Sequence, residues 1–289
     1  MKISKTDRGQ KALQSLERRL RVSNRSEQTI RNYVRCVKAL MEYHQQLPDE
    51  LEIDHIIDFL NELQVEQERA WRTIKIYVAA FRWFYEHILQ AKEFASLIPY
   101  PREKPSLPQI LSREELARLF NNCTNKKHRA MFRLLYSSGL RRNELLYLKI
   151  ADIITSDGKL RIRINKGKGG KDRYTVLSEL VLSELREYFK AYRPVTYLFN
   201  GREPGQRMSA AGLRHAITEA AKKAGITRNV NLHILRHCFA SHALEEGMNI
   251  KTLQYLMGHS SVHTTMIYLH VSEVPLEKAF SPLDKWKRP

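Results

Sequence analysis

Four prolines fall within residues 98–108, at Pro99, Pro101, Pro105 and Pro108. Each fixes its own φ, offers no amide proton and pushes the residue before it out of the helical region. No helix or central strand can run through such a stretch, so the chain must fold as two blocks on either side of an extended connector. A length of 289 residues lets each block bury its own core. We read a helical domain at 1–97, a Pro-rich linker at 98–110 and a second domain at 111–289, with 271–289 as a C-terminal tail.

The first block reads as a helical bundle. Ile30, Tyr33, Val34, Val37, Leu40 and Met41 recur with helical spacing and share one stripe. Ser26 is placed to cap that helix, and Pro48 lies just beyond it. Ile56, Ile57 and Leu60 form a shorter stripe, and Ile74, Tyr77, Val78, Phe81, Phe84, Tyr85 and Ile88 a third. The aromatics are read as packing. Arg31, Arg35, Lys38, Arg72, Lys75 and Arg82 face away from the stripes, either as a solvated face or as phosphate contacts.

The formal charge of +18 is unevenly placed, with a net of +2 over residues 1–100 and +16 over the remainder. Such an excess repels itself unless a polyanion binds. Nucleic acid is the first candidate partner, an acidic membrane surface the second, and a merely soluble basic surface the bland alternative. No apolar run approaches the roughly 18 residues that cross a bilayer. The start MKISKTDRGQ lacks the apolar core of a signal peptide. Cys36, Cys123 and Cys238 follow no paired spacing, which fits a reducing compartment and a cytoplasmic protein.

The second block is mainly helical with a small β-sheet. Ser112-Arg-Glu-Glu opens a helix like a capping box, and helices follow to about 149. Lys159–Ile164 alternates at period two, and Arg173–Leu177 reads as its partner strand. Between them, Asn165-Lys-Gly-Lys-Gly-Gly-Lys-Asp makes a cationic hairpin tip carrying Lys166, Lys168 and Lys171. Helical patterns return from about 178.

Four clusters in this block could carry chemistry. Arg141 and Glu144 share one helical face at the start of a helix, as an ion pair or an anion site. Lys168 sits in the hairpin tip. His233 and Arg236 lie one helical turn apart, and Tyr268 follows His259 by nine residues. His233/His237 and His259/His263 have the i, i+4 spacing of zinc chelators, but Ile234 stands where the zinc proteases place their glutamate base. No metal site is read.

In this order the clusters resemble the tyrosine recombinase (integrase) family, particularly the compact Xer-like and the integron or transposon integrases. Gly139-Leu-Arg-Arg-Asn-Glu resembles the family's first box and selects Arg141 over Arg142. Lys168-Gly-Gly-Lys-Asp-Arg resembles its hairpin lysine sequence and selects Lys168. His233-Ile-Leu-Arg236 matches the His-x-x-Arg box, and Met257-Gly258-His259 the Leu-Gly-His box with Met in place of Leu. Tyr268 then matches the nucleophile. Ser26 to Tyr33 matches the family's Ser-x-x-Thr-Ile-x-x-Tyr stretch, so the resemblance spans nearly the whole chain.

The resemblance implies a helical, SAM-like core-binding domain followed by an α+β catalytic domain. It implies a site-specific recombinase that cleaves and rejoins DNA through a 3′-phosphotyrosyl intermediate, without metal, ATP or another cofactor. Arg141, Lys168, His233, Arg236, His259 and Tyr268 are its catalytic set, with Glu144 in support of Arg141. Arg31, Arg35, Lys38, Arg72, Lys75, Lys166, Lys171 and Arg173 are candidate DNA contacts. The implied partners are double-stranded DNA and, in the synaptic complex, a homotetramer of protomers that are monomers off DNA, with no membrane. The tail at 271–289 would dock on a neighbouring protomer or in cis. A non-catalytic architectural protein and a type IB topoisomerase-like enzyme are the competing readings.

Residue chemistry supports these roles independently. Two guanidiniums can hold the nonbridging oxygens of a phosphodiester and offset the charge of a pentacoordinate transition state. A phenol with an ordinary pKa near ~10 attacks only when its proton is taken or its charge is offset. The 5′ oxygen is a poor leaving group and needs a proton, which a lysine can supply.

Overall fold

In the computed structural model, the described residues are 5–102, 107–156, 158–165, 172–203 and 205–269. Lys166, Lys168, Lys171 and the tail at 271–289 lie outside them. The chain divides into two compact units, Met1–Pro105 and Ser106–Pro289.

The first unit consists of α1 (Lys5–Val22), α2 (Glu27–His44), α3 (Ile53–Gln64), α4 (Trp71–His87) and α5 (Lys92–Leu97). Ser26 Oγ accepts from the Thr29 amide and caps α2, as its sequence suggests. The stripes of α2 and α4 meet around Val37, Leu40, Val78 and Phe81, and Leu16 and Leu20 of α1 close the cluster. On α3 the buried face is Ile56, Phe59, Leu60 and Leu63, whereas Ile57 is exposed. Ile56, Phe59, Leu60 and Leu63 fall at i, i+3, i+4 and i+7 and share one face, and Ile57 lies beyond its edge. Ile98, the first residue of the expected linker, is buried in this core, and its carbonyl accepts from Arg82 Nε at 2.9 Å. Arg82 therefore ties down the chain after α5 instead of standing in a solvated face.

The second unit opens with α6 (Arg113–Asn121), where Ser112 and Glu115 form the reciprocal cap. Next come α7 (Lys126–Ser138) and α8 (Arg142–Tyr147). An antiparallel sheet of β1 (Ile153–Ile154), β2 (Arg161–Ile164) and β3 (Arg173–Val176) follows in that spatial order. Helices α9 (Glu179–Tyr192), α10 (Ala210–Lys223), α11 (Leu232–Glu245), α12 (Ile250–Met257) and α13 (His263–Met266) complete it. Met131, Leu134 and Leu135 of α7 and Leu235 and Cys238 of α11 lie in the main core.

The sheet register sets which β3 residues enter the interior. Ile162 pairs with Thr175 and Ile164 with Arg173, and all four are buried. Tyr174 and Val176 are the half-exposed pair. Hydropathy alone would send Tyr174 and Val176 inward, but the register turns the polar pair into the protein.

Candidate active site

Two glycines end helices at the centre of the second unit. Gly139 follows α7 with φ +62° and Gly258 follows α12 with φ +63°, both in the left-handed region that favours glycine. A Cβ at Gly139 would run into the Phe239 ring, and one at Gly258 would lie 2.8 Å from Arg173 Nε. Their carbonyls are acceptors for arginines.

Arg141 leads into α8. Its backbone N–H donates to Glu144 Oε2 at 2.7 Å, its Nη1 to Glu144 Oε1 at 2.9 Å and its Nη2 to the Gly258 carbonyl at 2.5 Å. Arg236 is buried on α11, with Nη1 donating to the Gly139 carbonyl and Nη2 to the Met257 carbonyl at 2.6 Å. Asn231 caps α11 by accepting from the amides of His233 and Ile234, which fixes where Arg236 emerges. Arg173 donates through Nη1 and Nη2 to Glu144 at 2.7 and 2.9 Å and through Nε to the Leu256 carbonyl at 3.0 Å. Three successive carbonyls at the end of α12, from Leu256, Met257 and Gly258, thus each receive a different guanidinium. These are the acceptors a helix leaves unpaired at its C-terminus, where its dipole also favours cations.

Tyr268 lies just beyond α13 and is buried beside Phe239, Leu253, Leu256 and Met257. Its hydroxyl is 2.8 Å from His237 Nδ1. His259 Nε2 is 3.1 Å from Arg236 Nη2, and its Nδ1 is 2.9 Å from Thr265 Oγ1. A guanidinium can only donate, so Nε2 is the acceptor and Nδ1–H donates to Thr265. The ring planes of His259 and Tyr268 lie 9° apart, with centroids separated by 6.5 Å.

A model described as the phage integrase family matches residues 109–274, and one described as its N-terminal SAM-like domain matches residues 12–93. The chain belongs to the phage integrase family. A putative integrase/recombinase of Sinorhizobium fredii is 32% identical over 277 residues, which is 96% of this chain and 89% of that protein. Tyrosine recombinase XerD of Listeria innocua is 28% identical over 88% of this chain and 92% of its own. Among solved structures, XerA recombinase shares 27% identity with a TM-score of 0.54, covering 93% of this chain and 96% of its own. A XerH site-specific recombinase bound to palindromic difH substrate, in a post-cleavage complex, has 24% identity and a TM-score of 0.73, with 94% and 85% covered. The chain is a tyrosine recombinase, a site-specific enzyme that cleaves and rejoins DNA. Neither the architectural nor the topoisomerase reading is favoured.

The electrostatics of the recombinase site follow from crowding guanidiniums in a dry place. Burial disfavours the charged form of Glu144, but the hydrogen bonds and charge of Arg173, followed by those of Arg141, outweigh it and hold the carboxyl at about 2. Burial first, and Arg141 next, lower Arg236 to about 10, so it stays charged near neutrality. His259 is lowered to about 4 by burial and then by Arg236, Arg141 and Arg173. Burial also lowers His237 to about 4, with His233 and Arg236 adding to it, and raises Tyr268 to about 12 against the pull of Arg236. Three guanidiniums face one carboxylate here, so the protein leaves a net positive charge at this point.

Arg141, Glu144, Arg236, His259 and Tyr268 therefore come together. His233 opens to solvent on one side at the start of α11, and the partial desolvation of its ring, followed by Arg142, Arg236 and Arg141, lowers its pKa. Arg173 is corrected by the structure. It is 6% exposed and occupied by Glu144 and Leu256, so it is not a surface contact to DNA. His237, considered in the sequence only as a zinc spacing, is the histidine on the Tyr268 hydroxyl. Among the described residues, no three His, Cys, Asp or Glu side chains are grouped as metal ligands. In the first unit, Arg31, Arg35, Lys38 and Arg72 are exposed and Lys75 half-buried, with Lys38 3.4 Å from Glu42 and Arg72 over the Trp71 ring.

Proposed function

We propose that Tyr268 is the nucleophile of a strand exchange on double-stranded DNA, and that Arg141 and Arg236 hold the scissile phosphate. The observation that carries this reading is the convergence of the two guanidiniums on the helix ends beside a buried tyrosine. Tyr268 Oη forms a bond to phosphorus as the bond to the 5′ oxygen breaks. The 5′ oxygen leaves as a hydroxyl after taking a proton, for which Lys168 is the donor carried over from the family resemblance. Attack by a 5′-hydroxyl on the phosphotyrosyl bond reverses the step and rejoins a strand.

With the phenol near 12 and the imidazole near 4, the DNA-free protein keeps the proton on Tyr268, which donates to His237 Nδ1. That proton passes along the hydrogen bond to His237 Nδ1 as Oη bonds to phosphorus, and the phenolic charge passes to phosphate oxygens and meets the arginines. His259 donates to the phosphate only if its Nε2 carries hydrogen. Thr265 permits that change, since its hydroxyl can donate to Nδ1 as readily as it accepts. His233, at the exposed edge beside the arginines, is a second hydrogen-bond donor to phosphate.

The first unit contributes duplex contacts from Arg31, Arg35, Lys38, Arg72 and Lys75, and the hairpin contributes Lys166 and Lys171. Solved relatives include a XerH recombinase bound to its difH substrate and a lambda integrase tetramer bound to a Holliday junction. By analogy, this chain acts as a tetramer on two duplexes, in the cytoplasm. Its role is that of a Xer-like or mobile-element integrase.

The test is a nicked suicide duplex carrying the sequence the protein protects on its native DNA. Wild type forms a covalent adduct that peptide mass spectrometry locates at Tyr268, and Tyr268→Phe forms none. An adduct elsewhere, or one retained by Tyr268→Phe, refutes the assignment.

A further inference from the structure

We propose that Arg173 is a positioning residue for Arg141, acting through the carboxylate of Glu144 and the end of α12. The inference rests on the reading that Arg141 holds the scissile phosphate. It also explains why a strand expected to offer a cation to solvent turns it inward.

Arg173 and Arg141 share both oxygens of one carboxylate. Oε1 accepts from Arg173 Nη1 at 2.7 Å and from Arg141 Nη1 at 2.9 Å. Oε2 accepts from Arg173 Nη2 at 2.9 Å and from the Arg141 backbone N–H at 2.7 Å. Two parallel hydrogen bonds from a planar guanidinium fix the plane of a carboxylate, which a single donor cannot do. The plane set by Arg173 is therefore the one on which the Arg141 side chain rests.

The second hold on Arg141 passes through α12. Arg173 Nε donates to the Leu256 carbonyl, and two residues later the Gly258 carbonyl accepts from Arg141 Nη2. Gly258 has no side chain where Arg173 lies against it, with an ideal Cβ only 2.8 Å from Nε and 2.9 Å from Cζ. Both acceptors of the Arg141 guanidinium are thus set by groups that Arg173 touches. All three of its own guanidinium nitrogens are engaged within the protein, so its contribution to catalysis passes through Arg141.

The charge of Arg173 also keeps Glu144 ionised. The charged groups around that carboxylate are Arg141 at the start of α8, Arg173 on β3 and Arg236 on α11. Without Arg173 its proton affinity rises, because burial then opposes fewer favourable contacts. A protonated Glu144 gives up one of its acceptor sites, and Arg141 loses its anchor. The dependence has a definite sign, because activity that needs the carboxylate is lost as pH falls through the raised pKa.

The experiment uses the full chain and the suicide duplex, with single-turnover adduct formation followed from about pH 5.5 to 8.5 and duplex affinity and circular dichroism measured alongside. Arg173→Met is expected to slow cleavage by about 10–100-fold, the scale of a misplacement near 1 Å, with unchanged duplex affinity. Its deficit shrinks as pH rises, a pH dependence wild type lacks. Arg173→Lys keeps the charge without the fork, so it loses rate with a smaller change in the pH profile. Cleavage by a folded Arg173→Met within about twofold of wild type, or a deficit equal at every pH, overturns the proposal. If Arg173→Met does not fold, Arg173→Lys decides, and wild-type rates from that variant overturn it. Failure of wild type to form an adduct at Tyr268 removes the underlying reading of Arg141 and is distinguishable from both results.

Discussion

The two units bury different things. The first packs α1 to α5 around Leu16, Leu40, Val78 and Phe81 and leaves Arg31, Arg35, Lys38 and Arg72 toward solvent. Among the described residues, the buried polar and charged side chains all belong to the second unit, including Ser138, Arg173, Thr175, Arg236 and Thr265. A surface cation is screened by water and salt, whereas a guanidinium fixed in a low-dielectric site acts strongly on a charge developing beside it. The helical unit is held by apolar contact, while the other also encloses charge, which costs desolvation and makes stability depend on complete hydrogen bonding.

The sharpest way to break this contrast is to remove a charge from one core and an apolar ring from the other. Arg236→Ala or Arg141→Ala should slow adduct formation by about 10²–10³, comparable to losing one oxyanion donor, with duplex binding largely intact. Phe81→Ala should lower stability by roughly 3–5 kcal/mol yet leave the rate of the saturated, folded complex unchanged. Equal loss of binding and cleavage from the arginine variants would make those arginines structural, and the contrast would fail.

A smaller effect is expected from acid. His237 and His259 titrate near 4 when folded against an ordinary 6.5, so between these values the unfolded chain binds more protons than the native one. Their contribution to stability is present above about 6.5 and is lost as pH falls toward 4. Glu144, held at about 2, acts in the same direction at lower pH. Denaturant melts should therefore weaken from pH 7 to 4.5, and the slope should lessen in His237→Gln. An unchanged slope would mean that the histidine on Tyr268 titrates normally.

The smallest effect belongs to the exposed face. Arg31→Ala should reduce the log–log salt slope of duplex binding by about 1 and leave cleavage at saturation untouched. A slope equal to that of wild type would return Arg31 to the solvated surface.

How much could be read in advance follows the same division. The stripes of α2 and α4 were legible because apolar burial in a helix leaves a period, and Ser26 and Ser112 because caps have a residue type and an offset. Ile57 misled, because it lies beyond the edge of the face that Ile56, Phe59, Leu60 and Leu63 bury on α3. The two-residue β1 is too short to leave a pattern. Arg141, Arg236, His259 and Tyr268 were marked by resemblance to family boxes, not by periodicity. Arg173 was misread, since nothing in Arg-Tyr-Thr-Val says that the polar pair turns inward. That depends on pairing with Ile162 and Ile164 and on a carboxylate supplied by α8. His237 escaped because its partner lies 31 residues away, on a segment whose path the sequence does not reveal.

The end of α12 grips its three guanidiniums through backbone oxygen, not through side chains. Methionine at 257, where related boxes carry leucine, therefore still offers Arg236 its acceptor. What such a grip cannot tolerate is a change in residue count. An insertion or deletion between Leu256 and His259 would leave Arg173 its oxygen but move those of Met257 and Gly258 out of register, disarming Arg236 and Arg141 together however well the altered side chains were chosen.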